Sequence, residues 1–219
     1  MSSIMRLYED VLSNDAVQVA LPALPRMIFI VHGSATIEGR ALRDGEAWHG
    51  ESAVTLAPGS AGVTCWRFEL ASAHAADGEI EGRAVTSRQK LKTAVETLPA
   101  GDLLLRGDSV AFPPGGCAYL HRHQGPGIRC LLEGGIRIDT HGASTSYGPG
   151  GAWYESGPEP VFAQAASDRA TRFIRMMILP RALLGKSSIV YLNADDKARP
   201  KSQSYQGFAD APISFVVGR

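Results

Sequence analysis

The chain has 219 residues, with 22 basic and 22 acidic side chains, so its formal charge is zero. A surface with no basic excess lacks the electrostatic grip that nucleic acid or an anionic membrane requires. The 24 glycines and 13 prolines favour many turns between short strands over long helices, and the length allows one large β domain or two of about 100 residues.

From the start of the chain, residues 1–20 place Glu9, Asp10 and Asp15 where a leader peptide would need an apolar core. No apolar run reaches the roughly 20 residues of a spanning helix. Met27–Val31 is a solid apolar run that continues at Ala35–Ile37, and Val54–Leu56 and Val63–Leu70 follow across the turn signal Ala57-Pro58-Gly59. The polar stretch Ala71–Thr97 reads as a connection, with a short helix or edge strand near Arg88–Leu98. Strands resume at Ile128–Leu132, Ile136–Ile138, Ala152–Tyr154 and Phe173–Leu179. After Pro180, Ser188–Leu192 and Pro212–Val217 look like further strands, and the polar Asn193–Ser204 between them cannot hold a core. Short strands at regular spacing point to an all-β sandwich or barrel. Cys65, Cys117 and Cys130 are odd in number and lack CxxC spacing, which fits reduced thiols in a cytoplasmic protein.

The two halves repeat one pattern. Gly33 closes a run that Gly134 closes again, an offset of 134 − 33 = 101. Gly-x-Ala-Trp ends at Trp48 and again at Trp153, offset 153 − 48 = 105, and Arg67 matches Arg175, offset 175 − 67 = 108. The same order in both halves with a slowly drifting offset favours duplication with loop insertions.

Chemistry concentrates in Gly115–Gly134. His121 and His123 stand at i and i+2 of a strand and face one side, so their imidazoles can converge on one ion. The same parity turns Tyr119 inward, and the next strand would turn Arg129 and Leu131 inward and Cys130 outward. His32, His49, His74 and His141 have no partner at ligand spacing. Nothing matches a phosphate loop, a nucleophile elbow or a dinucleotide fingerprint.

Gly115, five residues, His121, Arg122, His123, three residues, position 127, six residues and Gly134 reproduce the spacing G-x5-H-x-H-x3-E-x6-G. The segment thereby resembles the first motif of the cupin superfamily, and the repeat extends that resemblance to a bicupin. The first half lacks the H-x-H strand and reads as degenerate. Two departures stand out. Gly127 occupies the position of the family's glutamate ligand, and Val161 that of the histidine in its second motif. Glu155, whose counterpart in the first half is Gly50, is the candidate substitute carboxylate.

The resemblance implies an all-β fold of two tandem cupin-type (double-stranded β-helix or jelly-roll) barrels. These are a degenerate barrel over 1–86, a second over 87–180, and a C-terminal extension over 181–219 that packs on a barrel or a partner subunit. It implies a divalent transition metal (iron, manganese, nickel or zinc) at His121, His123 and Glu155, the two-histidine-one-carboxylate set. Tyr119 and Glu155 would move protons, Arg129 would hold a substrate carboxylate, and Gln124 and Trp153 would complete the substrate contacts. Against these roles stand plain ones: strand histidines in hydrogen bonds, a solvated glutamate, a snorkelling arginine, packed tyrosine and tryptophan.

The expected function is an oxygenase-, isomerase- or decarboxylase-type enzyme acting on a small anionic organic molecule, as a cytoplasmic homodimer with no nucleic-acid or membrane partner. The alternative is a metal-free barrel that binds a small molecule as a sensor or carrier.

Overall fold

The computed structural model describes residues 2–215. The chain divides into two compact units, Met1–Val95 with Ile213–Arg219, and Glu96–Pro212. No helix among the described residues is long and apolar enough to cross a membrane.

The first unit is one antiparallel seven-stranded sheet built from β1 (Ser3–Leu12), β2 (Val19–Leu21), β3 (Arg26–Ile37), β4 (Arg40–Arg43), β5 (Ala47–Gly50), β6 (Val54–Ser72) and β7 (Val85–Val95). Its path runs β4-β3-β6-β1-β7, with β2 joined to β6 and β5 to β3. Met27, Ile28, Phe29 and Ile30 are all essentially inaccessible, because both faces of β3 are covered. That is why the run is continuously apolar instead of alternating. Ile28, Ile30, Leu42, Trp48, Leu56 and Cys65 share one core cluster.

Three local readings change. Ala57-Pro58-Gly59 is not a turn, since β6 runs unbroken through it; the register against β3 shifts at this end of the pair, where an irregular ladder tolerates a proline. Of the two expectations near Arg88–Leu98 the edge strand holds, but β7 begins at Val85 and pairs along the whole of β1, so the stretch belongs to the sheet and is not a connection. The unit boundary therefore lies at Val95/Glu96 and not at 86. β1 itself, with its buried Arg6 and Asp10, is a strand that apolar patterning does not announce.

The second unit stacks its strands in two five-stranded sheets. One runs β13 (Ala152–Glu155), β10 (Gly127–Glu133), β15 (Thr171–Pro180), β8 (Leu103–Phe112), β17 (Ser204–Ile213). The other runs β12 (Ala143–Tyr147), β11 (Ile136–Thr140), β14 (Val161–Ala165), β9 (Cys117–His123), β16 (Ile189–Tyr191). Val110, Leu131, Ile138, Trp153, Val161 and Phe173 pack between them. The residues after 180 form no third body: β16 pairs with β9 and β17 with β8, one edge strand for each sheet. The polar segment between them contains α1 (Ala194–Ala198). The expected strand over Pro212–Val217 is limited to the end of β17 at Ile213; positions 216 and 217 lie outside the described residues.

Candidate functional site

The site lies in the second unit, where β9, β10, β13 and β15 turn polar side chains into the barrel. His121 and His123 are 5% and 4% exposed, and their Nε2 atoms stand 3.3 Å apart. His121 Nδ1 lies 2.7 Å from the Tyr119 carbonyl oxygen. Only a protonated nitrogen can make that contact favourable, so Nδ1 carries the hydrogen and Nε2 presents a bare lone pair. His123 Nδ1 faces the Ser188 hydroxyl at 3.4 Å. Burial holds the His121 pKa below its ordinary value, partly offset by Glu155. Burial, with Arg129 and Arg175 adding to it, pushes His123 far lower. Both imidazoles are neutral at pH 7.

The parity expected of β9 fails on its other side. Val161 pairs with His121 and Ala163 with Ala118, so β9 fits one extra residue between Ala118 and His121. This irregularity resets the alternation. Ala118 lines the chamber beside the histidines and Tyr119 does not. The Tyr119 ring sits instead under Arg199 and Lys201, at 5.4 and 5.5 Å. Gln124 is exposed in the turn after β9 and is likewise not among the lining residues.

Arg129 does turn inward, at 1% exposure. Its Nη1 donates to the Gly127 carbonyl at 2.7 Å, and Nη2 approaches Glu155 Oε2 at 2.7 Å. That approach lacks hydrogen-bond alignment, so both atoms are buried without a hydrogen-bond partner. Burial lowers the Arg129 pKa to about 10 against the opposing pull of Glu155. Cys130, on the opposite face of β10, is fully buried rather than exposed.

Glu155 stands directly across from Gly127 in the β10–β13 register. A Cβ at Gly127 would meet the Met176 carbonyl at 2.7 Å. The position that usually carries the family carboxylate therefore has no room for a side chain, and Glu155 reaches the same region from the neighbouring strand. Its Oε1 accepts from Trp153 Nε1 at 2.9 Å, and its Oε2 lies 3.6 Å from His123 Nε2. Trp153 stacks on Tyr147 at 5.0 Å and meets Phe173 edge-on at 5.2 Å. Val161 closes the chamber with an apolar wall.

Residue-type reasoning missed Arg175 and Asp108 as site residues. Arg175 Nε and Nη2 donate to the two Asp108 carboxylate oxygens at 2.6 and 2.9 Å, a buried bidentate pair. Arg175 was visible in the repeat as the match to Arg67; Asp108 had no signal beyond its place in a β-forming run. Arg129, Arg175 and Glu155 line the chamber, which keeps only about 20 Å³ of open space. That is room for a single water or ion. A second cavity of about 550 Å³ adjoins it and shares Arg175, Ile189, Gln203 and Tyr205 with the chamber wall; Asp108 pairs with Arg175 from the side of this second cavity. Among the described residues, no group of three or more His, Cys, Asp or Glu side chains is arranged to hold a metal ion.

In the first unit the positions matching Arg129 and Glu155 carry no charge. Ile28 takes the place of Arg129, facing Trp48 and Arg67 in register as Arg129 faces Trp153 and Arg175. Gly50 takes the place of Glu155, and a Cβ there would lie 2.6 Å from the Trp48 indole.

No protein-family model matches the chain, and no curated protein matches it. Solved structures do. The chain is similar to AerE from Microcystis aeruginosa, with TM-score 0.57 and 14% identity over 82% of this chain and 89% of that one. It is similar to salicylate 1,2-dioxygenase from Pseudaminobacter salicylatoxidans, with TM-score 0.54 and 8% identity over 79% and 70%. It is also similar to a variant of oxalate decarboxylase OxdC from Bacillus subtilis, with TM-score 0.52 and 13% identity over 90% and 72%. At these identities the likeness is one of fold. The shared architecture is all-β with jelly-roll barrels, the fold that the resemblance of the Gly115–Gly134 segment implied.

Proposed function

We propose that the second unit is a metal-dependent site for a small organic anion, with His121, His123 and Glu155 holding a divalent transition metal. The observation that carries this reading is the convergence of two bare or neutral imidazole Nε2 atoms, 3.3 Å apart, on a buried carboxylate oxygen without a hydrogen-bond partner. Donors about 2.1 Å from one ion at tetrahedral angles lie roughly 3.4 Å from each other, close to the 3.3 and 3.6 Å separations seen here. As they stand the three side chains are not arranged around an ion, and the donor set would fit only once Glu155 exchanges Arg129 for the metal. His121 Nδ1–H on the Tyr119 carbonyl fixes one ring, and the Ser188 hydroxyl supports the other, the outer contacts that orient ligating histidines.

When bound, the ion would supply Lewis-acid polarisation or dioxygen activation, for oxygenase, isomerase or decarboxylase chemistry. The chain's own residues do the rest. The inner chamber is too small for a substrate, so the anion occupies the adjoining 550 Å³ cavity and reaches the histidines past Arg175, Gln203 and Tyr205. Arg175 presents its charge there while Asp108 keeps it oriented. Arg129, released from Glu155, orients the substrate carboxylate, and Glu155 is the nearest proton acceptor. One similar structure, a salicylate 1,2-dioxygenase variant, holds gentisate, which supports a small acid as the ligand class. The reading includes a cytoplasmic homodimer, and light scattering in solution tests its stoichiometry.

Elemental analysis of untagged protein beside the His121→Ala/His123→Ala variant is the test. Near-stoichiometric iron, manganese, nickel or zinc, lost in the variant, is expected. No metal after reconstitution would sink the proposal.

One observation favours a second reading, a metal-free binding barrel: Arg129 already neutralises Glu155 at 2.7 Å. Under it, small acids raise Tm in the presence of a chelator, and metals do not.

A further inference from the structure

The first unit, scaffold in the reading above, contains an unbalanced buried charge. Its buried charged side chains are Arg6, Arg26, Arg67, Asp10 and Glu69, each no more than 2% exposed: three cations against two anions. They form a cross-strand ladder, since Glu69 of β6 faces Arg26 on β3 and Arg6 on β1 in register. Glu69 is shared by all three arginines, taking Arg6 Nε at 2.8 Å, Arg26 Nε at 3.1 Å and Arg67 Nη1 at 2.8 Å. Asp10 accepts from Arg67 Nε at 2.7 Å. Arg26 Nη1 is left buried with no hydrogen-bond partner. Burial, then repulsion from Arg67 and Arg6, lowers the Arg26 pKa despite Glu69. An uncompensated buried cation is costly unless something neutralises it.

A cavity of about 490 Å³ opens on this cluster, a size usual for small-molecule sites; Arg6, Arg67 and Glu69 line it, and Arg26 lies behind them without lining it. Pro22, whose carbonyl takes Arg26 Nη2 at 2.6 Å, is part of the same wall. The remaining wall is largely aliphatic, including Val19, Leu21, Leu24, Ile80 and Val85. Its far side, the 75–83 segment, is tied down by the ladder itself: Arg6 Nη1 donates to the Ala76 carbonyl and Arg67 Nη2 to the Gly78 carbonyl, both at 2.7 Å. Tyr8 Oη accepts from the Gly78 amide at 3.0 Å. One negative charge and an apolar body are what this space lacks.

We propose that the first unit binds a small aliphatic monocarboxylate in this cavity, its carboxylate facing Arg6 and Arg67 with Arg26 acting from behind through its charge, and its chain against the aliphatic wall. Guanidiniums suit a planar carboxylate, and a monoanion brings the buried charge to zero.

Calorimetric titration of the full-length protein with hexanoate, and with neutral hexanamide, tests this. Hexanoate is expected to bind and hexanamide at least tenfold more weakly. Arg26→Met should weaken hexanoate at least tenfold while leaving Tm unchanged or higher, because it removes the surplus charge. Ile80→Trp, on the loop side of the cavity, should weaken hexanoate by filling space and leave the arginines intact. The His121→Ala/His123→Ala variant should bind hexanoate as wild type does, whatever becomes of the metal reading. No hexanoate binding, equal affinity for hexanamide, indifference to both cavity variants, or loss of binding in the histidine variant would each overturn the proposal.

Discussion

Glu69 holds the first barrel's interior at a single atom pair, and its titration has a calculable sign. Burial pushes its pKa up, but Arg67, Arg26 and Arg6 outweigh burial and hold it below the ordinary value of 4.5. Between the folded and unfolded pKa the unfolded chain binds more protons, so stability rises with pH there. Glu69's contribution is fully present above pH 4.5 and is lost as pH falls below it towards the folded pKa. Urea melts from pH 3 to 6 should show this slope in wild type and a flatter one in Glu69→Gln. The variant also strands three guanidiniums, costing about 3–5 kcal/mol at pH 7; a loss under 1 kcal/mol would contradict the buried network. At this scale the sequence was readable where a residue type has few plausible roles. His121, His123, Arg129 and Glu155 do converge, and the offset that matched Arg67 to Arg175 is real. Tyr119 was misplaced because its orientation was inferred by counting back from the histidines, and the count does not survive the extra residue in β9; Gln124 had no pattern behind it.

Strand geometry decides which of these side chains can meet. The turn after β9 passes so close to β15 that a Cβ on Gly125 would lie 2.0 Å from the Ile178 carbonyl oxygen. Gly157 crowds the same glycine, while its carbonyl accepts from the His123 amide at 2.8 Å. Gly125→Ala must therefore displace backbone rather than a rotamer. Overpacking of this kind costs about 1–3 kcal/mol, read as a lower urea midpoint at unchanged m; an unchanged midpoint would show that the turn has slack. Boundaries of this kind were not legible. Apolar periodicity found β3, β10, β13 and β15 because their faces are buried. It passed over β1 and β8 because buried charges interrupt their patterns, and it split β6 at Pro58, a turn signal in most settings.

Over the whole chain, duplication is written in the strand registers. Ile28 faces Trp48 on one side and Arg67 on the other; Arg129 faces Trp153 and Arg175 in the same way. The two units keep one frame and place different chemistry on it, so ligands should act on them separately. Zinc at 100 times its Kd stabilises the state that binds it by about 2.7 kcal/mol. Amide exchange should then slow in β9, β10 and β13 and stay unchanged in β1, β3 and β6. Equal slowing in both units would contradict a site confined to one of them.

The Trp48 indole over Gly50 bears on how the halves diverged. Any side chain introduced at Gly50 runs into a ring that is itself 7% exposed and packed in the core. A carboxylate matching Glu155 cannot be gained there in one step, since the tryptophan has to change first and the core has to be refilled. The reverse change needs no refilling of space, but replacing Glu155 with glycine strands the buried Arg129 that it faces at 2.7 Å, so Arg129 has to change with it. Each barrel is thus locked by a pair of positions, Trp48 with Gly50 in one and Arg129 with Glu155 in the other, and neither changes into the other by a single substitution.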